Sequence, residues 1–373
     1  MKQYKKWVPI IGLTAILGAC NVIPRGHVER QNPPATKQDA PIADGQLVVE
    51  QPHNNYYQPL IDDQGHYPPS KNRGLTLTLN SDINLNLFET DLLRLSTQHF
   101  STDQYFIQEG QLLIEETVSN WLGRESDENP SGLNPPEGEG TSPLYLASIL
   151  EHDFYTHNGE AFELGGLTIG LAMNGSYETD EGVQEIPQGE MIEQAQQIAG
   201  AIVARIRESD KIGSVPIVIG VYEQADSNDL SGGTYILEGL NQVESDEIEW
   251  TSLQEERLLF PLEGGSTDEG NMFRNFQEDV ETVFPSLNGV YARAHYMDET
   301  LASLTIHVTT KFYGRGEVIA LTQYLETAAR NHLPDHARIQ IEVESLNGLE
   351  SFLSREMGEE HFNSHVLYQK IDY

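Results

Sequence analysis

The sequence predicts an α+β protein, two similar strand-helix-strand (α/β) repeats with mixed sheets, following a disordered tether. Three observations carry that expectation. The stretch after Cys20 is rich in Pro, Asn, Gln and Asp and poor in large aliphatics as far as about Lys71. Beyond it, matching segments occur twice in the same order, and each copy closes on an apolar strand. The boundaries that follow are 1–19 for a leader, 20–72 for the tether, 73–225 and 226–358 for the repeats, and 359–373 for a tail.

The leader has a basic start at Lys2, Lys5 and Lys6, an apolar segment from Trp7 to Leu17, and small residues before a break. These are the parts of a secretory signal. Bacterial lipoproteins share the pattern, with a cysteine fixed directly after the small residues because its sulfur receives a diacylglyceryl group before cleavage. Leu17, Gly18 and Ala19 then read as a lipobox, and Cys20 as the lipidated first residue of the mature chain. The alternative is an ordinary secretory signal followed by a chance cysteine. The apolar run is shorter than the roughly 20 residues that span a bilayer. The expectation is therefore an anchor at the extracytoplasmic face of the cell membrane, with the membrane and lipoprotein-processing enzymes as partners. Cys20 is the single cysteine, so no disulfide, thiolate metal site or thiol nucleophile remains once it is lipidated.

With 58 Asp+Glu against 22 Lys+Arg, the formal charge is −36. Such a surface repels phosphate backbones, which excludes nucleic acid as a partner. The acids are spread along the chain, as expected for solubility rather than for one acidic face.

The tether cannot bury enough apolar surface to offset its ordering entropy. At this length it would span about 40 Å by the square-root rule. Tyr56 and Tyr57 are the residues within it that could dock onto the folded part. Leu75, Leu77 and Leu79 alternate with threonines, a strand with one buried face. Phe88, Leu92, Leu93 and Leu95 follow helical spacing. Leu112 to Ile114 reads as a short strand and Glu115 to Leu122 as a helix. Gly123 to Pro143 reads as a long exposed loop, and Leu144 to Phe154 as a helix.

The duplication comes next. Leu167-Thr168-Ile169 recurs as Leu304-Thr305-Ile306, and Gly189-Glu190-Met191-Ile192 as Gly316-Glu317-Val318-Ile319, each of the latter opening a helix. Ala195, Ile198, Ala199, Ile202, Val203 and Ile206 form one helical stripe; Val318, Leu321, Leu325 and Ala328 form the other. Ile217, Ile219 and Val221 close the first unit, and Ile339, Ile341 and Val343 the second. Strand, crossover helix and strand give parallel, right-handed pairing. The first closing strand is apolar nearly throughout, as for a strand covered on both faces. In the second, Gln340, Glu342 and Glu344 put one face in water. Asp226 to Gly233 could mark the boundary between copies, and a helix through Phe273, Phe276, Val280 and Phe284 introduces the second.

Sequence motifs for chemistry are sparse. Asp226, Asn228, Asp229 and Gly232 loosely resemble a calcium loop, but the glycine is displaced and Leu237 stands where a bidentate acid is needed. His361 and His365 would share a helical face near Glu360, without the glutamate placement of zinc proteases. His332 and His336 are separated by Pro334, and His152-Asp153 reads as a helix-terminal pair. Gly165-Gly166 reads as a tight turn. No nucleophile elbow, phosphate loop or dinucleotide glycine triplet is present, so no catalytic residue, metal or cofactor is expected.

The lipobox together with Phe106–Gln111, Pro143–Ala147, Gly165–Asn174, Val215–Gly220 and Leu321–Tyr324 resembles the CamS family, sex-pheromone-precursor lipoproteins of staphylococci and related low-GC Gram-positive bacteria. The resemblance runs from about Arg73 onward. It implies that the named activity belongs to the discarded leader: trimming would release the heptapeptide Leu13-Thr14-Ala15-Ile16-Leu17-Gly18-Ala19, a signal promoting plasmid conjugation in enterococcal recipients. For the folded part it implies no activity. Two readings of that part follow: a non-enzymatic binding or envelope module, or a wall-directed hydrolase whose paired carboxylates stand about 5–9 Å apart in a cleft.

Overall fold

The computed structural model describes residues 47–48 and 56–367, apart from 63, 73–78, 139–141, 180, 210–211, 213–214, 244, 246, 263–266 and 312–313. Its strands are β1 (Leu47–Val48), β2 (Gln58–Ile61), β3 (Phe106–Glu109), β4 (Leu146–His157), β5 (Phe162–Asn174), β6 (Ser176–Thr179), β7 (Gly182–Glu185), β8 (Ile217–Gln224), β9 (Thr234–Asn241), β10 (Glu249–Ser252), β11 (Glu255–Phe260), β12 (Gly289–Met297), β13 (Thr300–Thr309), β14 (Arg338–Ser345), β15 (Gly348–Arg355) and β16 (Asn363–Val366). Its helices are α1 (Asp82–Ser96), α2 (Glu115–Leu122), α3 (Gln188–Arg207), α4 (Asp268–Val283) and α5 (Arg315–His332). The fold is α+β, with two analogous mixed sheets. The first runs β1-β2-β3-β4-β5-β8-β9-β10 and the second β11-β12-β13-β14-β15-β16, with β6 and β7 forming a separate hairpin.

Each sheet is built around one parallel pair, and the pairs correspond. In the first, β5 lies beside β8 with Leu167 opposite Ile217 and Leu171 opposite Val221. In the second, β13 lies beside β14 with Leu304 opposite Ile339 and Val308 opposite Val343. Helices α3 and α5 are the crossovers. The stripe on α3 is buried against one face of its sheet. Removing side chains of this size from water stabilises the fold by about 1.5–3 kcal/mol each.

The opposite face of the first sheet takes α1. Ser81 caps that helix by accepting from the Asn84 amide at 3.2 Å, and Phe88, Leu92 and Leu95 are buried beneath it. The approach is close because the sheet presents glycine there. A Cβ at Gly166 would fall 2.1 Å from a Phe100 ring carbon, and one at Gly170 would fall 2.9 Å from Leu92 and Phe88. The first sheet is thus covered on both faces. The second carries α4 and α5 on one face, over a core that includes Phe273, Phe276, Leu321, Ile306 and Ile341. Its other face presents Tyr291, Arg293, Thr305, His307, Gln340 and Glu342, in keeping with the polar residues that punctuate β14.

Several local expectations change. Leu144 to Phe154 is not a helix: most of it lies in β4, an inner strand. Leu146, Ile149, Leu150 and Phe154 fit helical spacing only because both sides of the strand are buried. Gly165-Gly166 is not a turn but lies within β5, where Tyr105 and Phe100 pack on it. Leu112 to Ile114 is a connecting loop, and the strand precedes it at β3. The ordered chain starts earlier than the tether boundary allowed. The Tyr57 ring packs tilted against Phe154 with centroids 5.0 Å apart, and β2, whose Leu60 is fully buried, pairs in parallel with β3. Most of the Leu75–Leu79 strand lies outside the described residues. The loop 226–233 joins β8 to β9 within the first sheet, so the chain changes sheet between Ser252 and Glu255.

Candidate functional site

Leu253 and Gln254 are the two residues of chain between β10 and β11, and each is tied to a different sheet. The Leu253 amide donates to the Ile236 carbonyl at 3.0 Å, and the Asp298 amide donates to the Gln254 carbonyl at 2.9 Å. A cleft of about 250 Å³ opens at this link. Ile192 on α3, Ile236 on β9 and Leu253 give it apolar lining, and Gln188, Ser252, Gln254, Glu255, Glu256, Tyr296 and Glu299 give it polar lining. Asp298 and Glu299 have φ of 49° and 61° and form a two-residue hairpin turn between β12 and β13. Left-handed backbone at a Glu costs on the order of 1 kcal/mol and clusters at functional sites. Here it sets Glu299 at the cleft. The space suits a short ligand with an apolar body and a cationic group.

Beneath the cleft the halves are clamped by a charged network. Arg94 of α1 donates to both Glu255 carboxylate oxygens, at 2.7 and 2.9 Å, and contacts Asp91 at 3.4 Å. Arg257 of β11 donates to Asp91 at 2.5 Å, and the His295 ring lies 2.9 Å from Glu255. Burial works against the Arg94 charge, but Asp91 and Glu255 outweigh it and raise its pKa. Asp91, Glu255 and His295 bring ligand atoms within 4.8 Å of one another, the spacing of a metal site. Two guanidinium groups already neutralise both carboxylates, so the donor set fits an ionic clamp and not a divalent cation.

A second cluster sits on the polar face of the other sheet. His307 Nε2 lies 2.9 Å from Arg293 Nη2, which can only donate, so that nitrogen is the acceptor. Nδ1 therefore carries the proton and points at Glu342, 3.3 Å away. Burial, helped by Arg293, pushes the imidazole down to about 4, so this contact is a hydrogen bond of a neutral ring and not an ion pair at neutral pH. Burial and Glu344 raise Glu342 against the pull of Arg293. Tyr291 stacks on the ring at 4.7 Å. With Nε2 occupied by Arg293, His307 is neither a free base nor an available ligand.

The third cluster is internal. Glu151 and Asp153 project from β4 on the face that carries α3, with Leu167 and Ile169 as register partners. The loop 110–113 closes over them, so they are not the open, water-accessible pair that a hydrolase needs. His152, on the opposite face, is fully buried and pushed down to about 4 by that burial. Its expected place at a helix end is thus replaced by a strand interior.

Other residues singled out in the sequence are dispersed. Leu13 to Ala19 and Cys20 lie outside the described residues. Asp229 is spent on its own turn, accepting from the Ser231 amide at 2.8 Å and hydroxyl at 2.6 Å. His361 is exposed in a loop while His365 is on β16, so they share no helix. His332 contacts Asp279 at 2.9 Å, and His336 is exposed beyond Pro334. The clamp was missed because its members are far apart in the chain, bonded Arg257 and Asp91 by 166 residues. Its only local trace is charge inside apolar patterns: Asp91 before Leu92, and Glu255-Glu256-Arg257 before Leu258.

Comparison with known proteins bears on the whole arrangement. The family model described as CamS sex pheromone cAM373 precursor matches residues 67–361. A crystal structure of a sex pheromone precursor from Lactobacillus salivarius subsp. salivarius is 32% identical, with a TM-score of 0.80, covering 87% of this chain and 100% of that one. The C-terminal domain of the sex pheromone staph-cAM373 precursor from Staphylococcus aureus is 26% identical, with a TM-score of 0.65, covering 78% of this chain and 99% of that one. Both are named for a pheromone precursor. No curated protein sequence matches the chain.

Proposed function

The chain belongs to the CamS family, and from that membership we propose that it is a lipid-anchored extracytoplasmic protein whose leader yields a pheromone peptide and whose folded part binds a ligand without converting it. The observation that carries this reading is the division of labour along the chain: the family match spans the folded residues 67–361, and the leader ahead of it ends in Leu17-Gly18-Ala19 before the sole cysteine. Processing enzymes would attach a diacylglyceryl group to Cys20 and cleave after Ala19. Two acyl chains supply stable anchoring where one gives only marginal binding. Leu13-Thr14-Ala15-Ile16-Leu17-Gly18-Ala19 is uncharged and short enough to leave the membrane. The folded part offers the cleft at the Leu253-Gln254 link, whose apolar lining and glutamates favour a short cationic amphiphile.

Mass spectrometry of the mature chain should find the lipid on Cys20, and Cys20→Ala should remain unlipidated. Synthetic Leu13–Ala19 should induce clumping or plasmid transfer in recipient cells at micromolar concentration or below; inactivity there rejects the pheromone reading and leaves the anchor untouched. Binding of a lysine-containing apolar peptide should weaken in Glu299→Gln. An unchanged affinity would remove the cleft from the account.

A further inference from the structure

Three backbone amides of the loop 110–113 are held by two side chains of β4, while the Gly110 amide donates to the Glu151 carbonyl at 2.9 Å. The Gln111 amide donates to Asp153 Oδ2 at 2.9 Å, the Leu112 amide to Glu151 Oε1 at 3.2 Å, and the Leu113 amide to Glu151 Oε2 at 3.0 Å. Gly110 lets the loop lie this close, since a Cβ there would stand 2.7 Å from Glu151 Oε2. The loop in turn holds the strap that leads out of β2. The Lys71 amide donates to the Gly110 carbonyl at 2.9 Å, Lys71 Nζ to the Gln111 carbonyl at 2.5 Å, and Gln111 Nε2 to the Pro69 carbonyl at 2.9 Å. Gln111 is thus the joint through which Asp153 holds residues 69–71.

One atom in this arrangement is left over. Asp153 Oδ1 is buried with no N–H or hydroxyl donor, although its carboxyl lies within hydrogen-bond reach of the Glu151 carboxyl. A buried carboxylate oxygen without a donor is costly, and two ionised carboxylates in contact in a dry site are costlier. A proton kept on Glu151 removes both problems by donating to Asp153.

We propose that Glu151 and Asp153 share one proton and form a pH-sensitive latch, fastening the loop 110–113 and the strap 69–71 to the first sheet while the proton is held and slackening them when it is lost. Among the described residues, Lys71 on the strap favours ionisation of Asp153, and Tyr155, two residues along β4, is pushed up by burial first and then by the two acids. Gln108 of β3 shares the pair's face and carries no charge. Burial first, then Asp153, raises Glu151 well above the ordinary carboxylate range, and burial raises Asp153. The sign follows. Opening the loop exposes both acids to water, where they titrate normally, so between the ordinary and the raised values opening releases a proton. The closed form is therefore fully favoured in acid and loses ground as pH rises through the raised values.

Hydrogen exchange of the full chain between about pH 5 and 8 tests this. After correction for intrinsic exchange, protection of the Leu112 and Leu113 amides should fall by up to about tenfold per pH unit relative to those of Leu171 and Val221. In Glu151→Gln, whose amide donates permanently to Asp153, that ratio should fall less steeply, since Asp153 alone is left to titrate. A flat ratio in the unaltered protein, or the same slope in Glu151→Gln, overturns the latch. Should Glu151→Gln fail to fold, the infrared spectrum of the unaltered protein decides: a protonated-carboxyl band at neutral pH that vanishes as the ratio falls supports the shared proton, and its absence overturns it.

Discussion

Two ion pairs in this protein have similar contact distances and opposite surroundings, the buried one two-pronged and networked and the exposed one a single bond. Arg94 and Glu255 meet at 2.7 and 2.9 Å with side chains 27% and 2% exposed, whereas Arg338 and Glu356 meet at 2.9 Å with side chains 54% and 55% exposed. Replacing Arg94 by Met leaves Glu255 buried with His295 alone and Asp91 with Arg257 alone. Breaking a buried pair in this way costs about 3–5 kcal/mol, because the partner charge stays behind without compensation. Arg338→Met should cost about 0–1 kcal/mol, since water replaces the lost partner. Urea unfolding followed by circular dichroism measures both. Adding Glu255→Gln to Arg94→Met should restore part of the loss, giving a coupling of about 0.5–3 kcal/mol in the double-mutant cycle. In about 1 M salt, where the Debye length is near 3 Å, the exposed pair should lose its contribution while the clamp keeps most of its own. If Arg94→Met cost no more than Arg338→Met, the clamp would not join the sheets energetically and the reasoning would fail.

Further tests probe packing, hydrogen bonding and titration. Gly166→Ala should destabilise by about 1–3 kcal/mol, because the new methyl meets the Phe100 ring; Gly200→Ala on the exposed side of α3, with nothing within 4 Å, should stabilise by about 0.4–1 kcal/mol in thermal unfolding. Asn84 Oδ1 accepts from the Gly233 amide at 2.9 Å and the Tyr222 hydroxyl at 3.0 Å, so Asn84→Ala should cost about 1–3 kcal/mol for each donor left unpaired, read from denaturant midpoints. His307 should titrate near 4 by NMR. Its folded value is depressed below the unfolded one, so its contribution to stability is present above about 6.5 and lost as pH falls toward 4.

The parallel pairs and crossover helices were legible because their signals are local. On α3, Ala195, Ile198, Ile202 and Ile206 repeat at a period that only a helix satisfies, and the polar interruptions at Gln340 and Glu342 announced the open face of β14. The strand β4 was illegible for the complementary reason. Its two faces are buried by different helices, so the residues carry no alternation, and an inner strand then imitates a buried helix. Gly165 and Gly166 looked like a turn because their reason is Tyr105 and Phe100, aromatics some 60 residues away. The cleft and its clamp join α1, β11 and β12, a coincidence of topology that no window of sequence contains. The carboxyls of Glu151 and Asp153 were visible as residues, but their enclosure by the loop 110–113 was not.

Because Leu253 and Gln254 are each bonded to a different sheet, the link between the sheets works as a short inextensible tie. A pair of residues reaches at most about 7 Å, and the Arg94–Glu255 and Arg257–Asp91 bonds cross the same seam, so the halves cannot part without breaking that clamp and unzipping β10 or β11. The gap beside that tie accordingly keeps a nearly constant bore, so girth as well as charge limits what can lodge there.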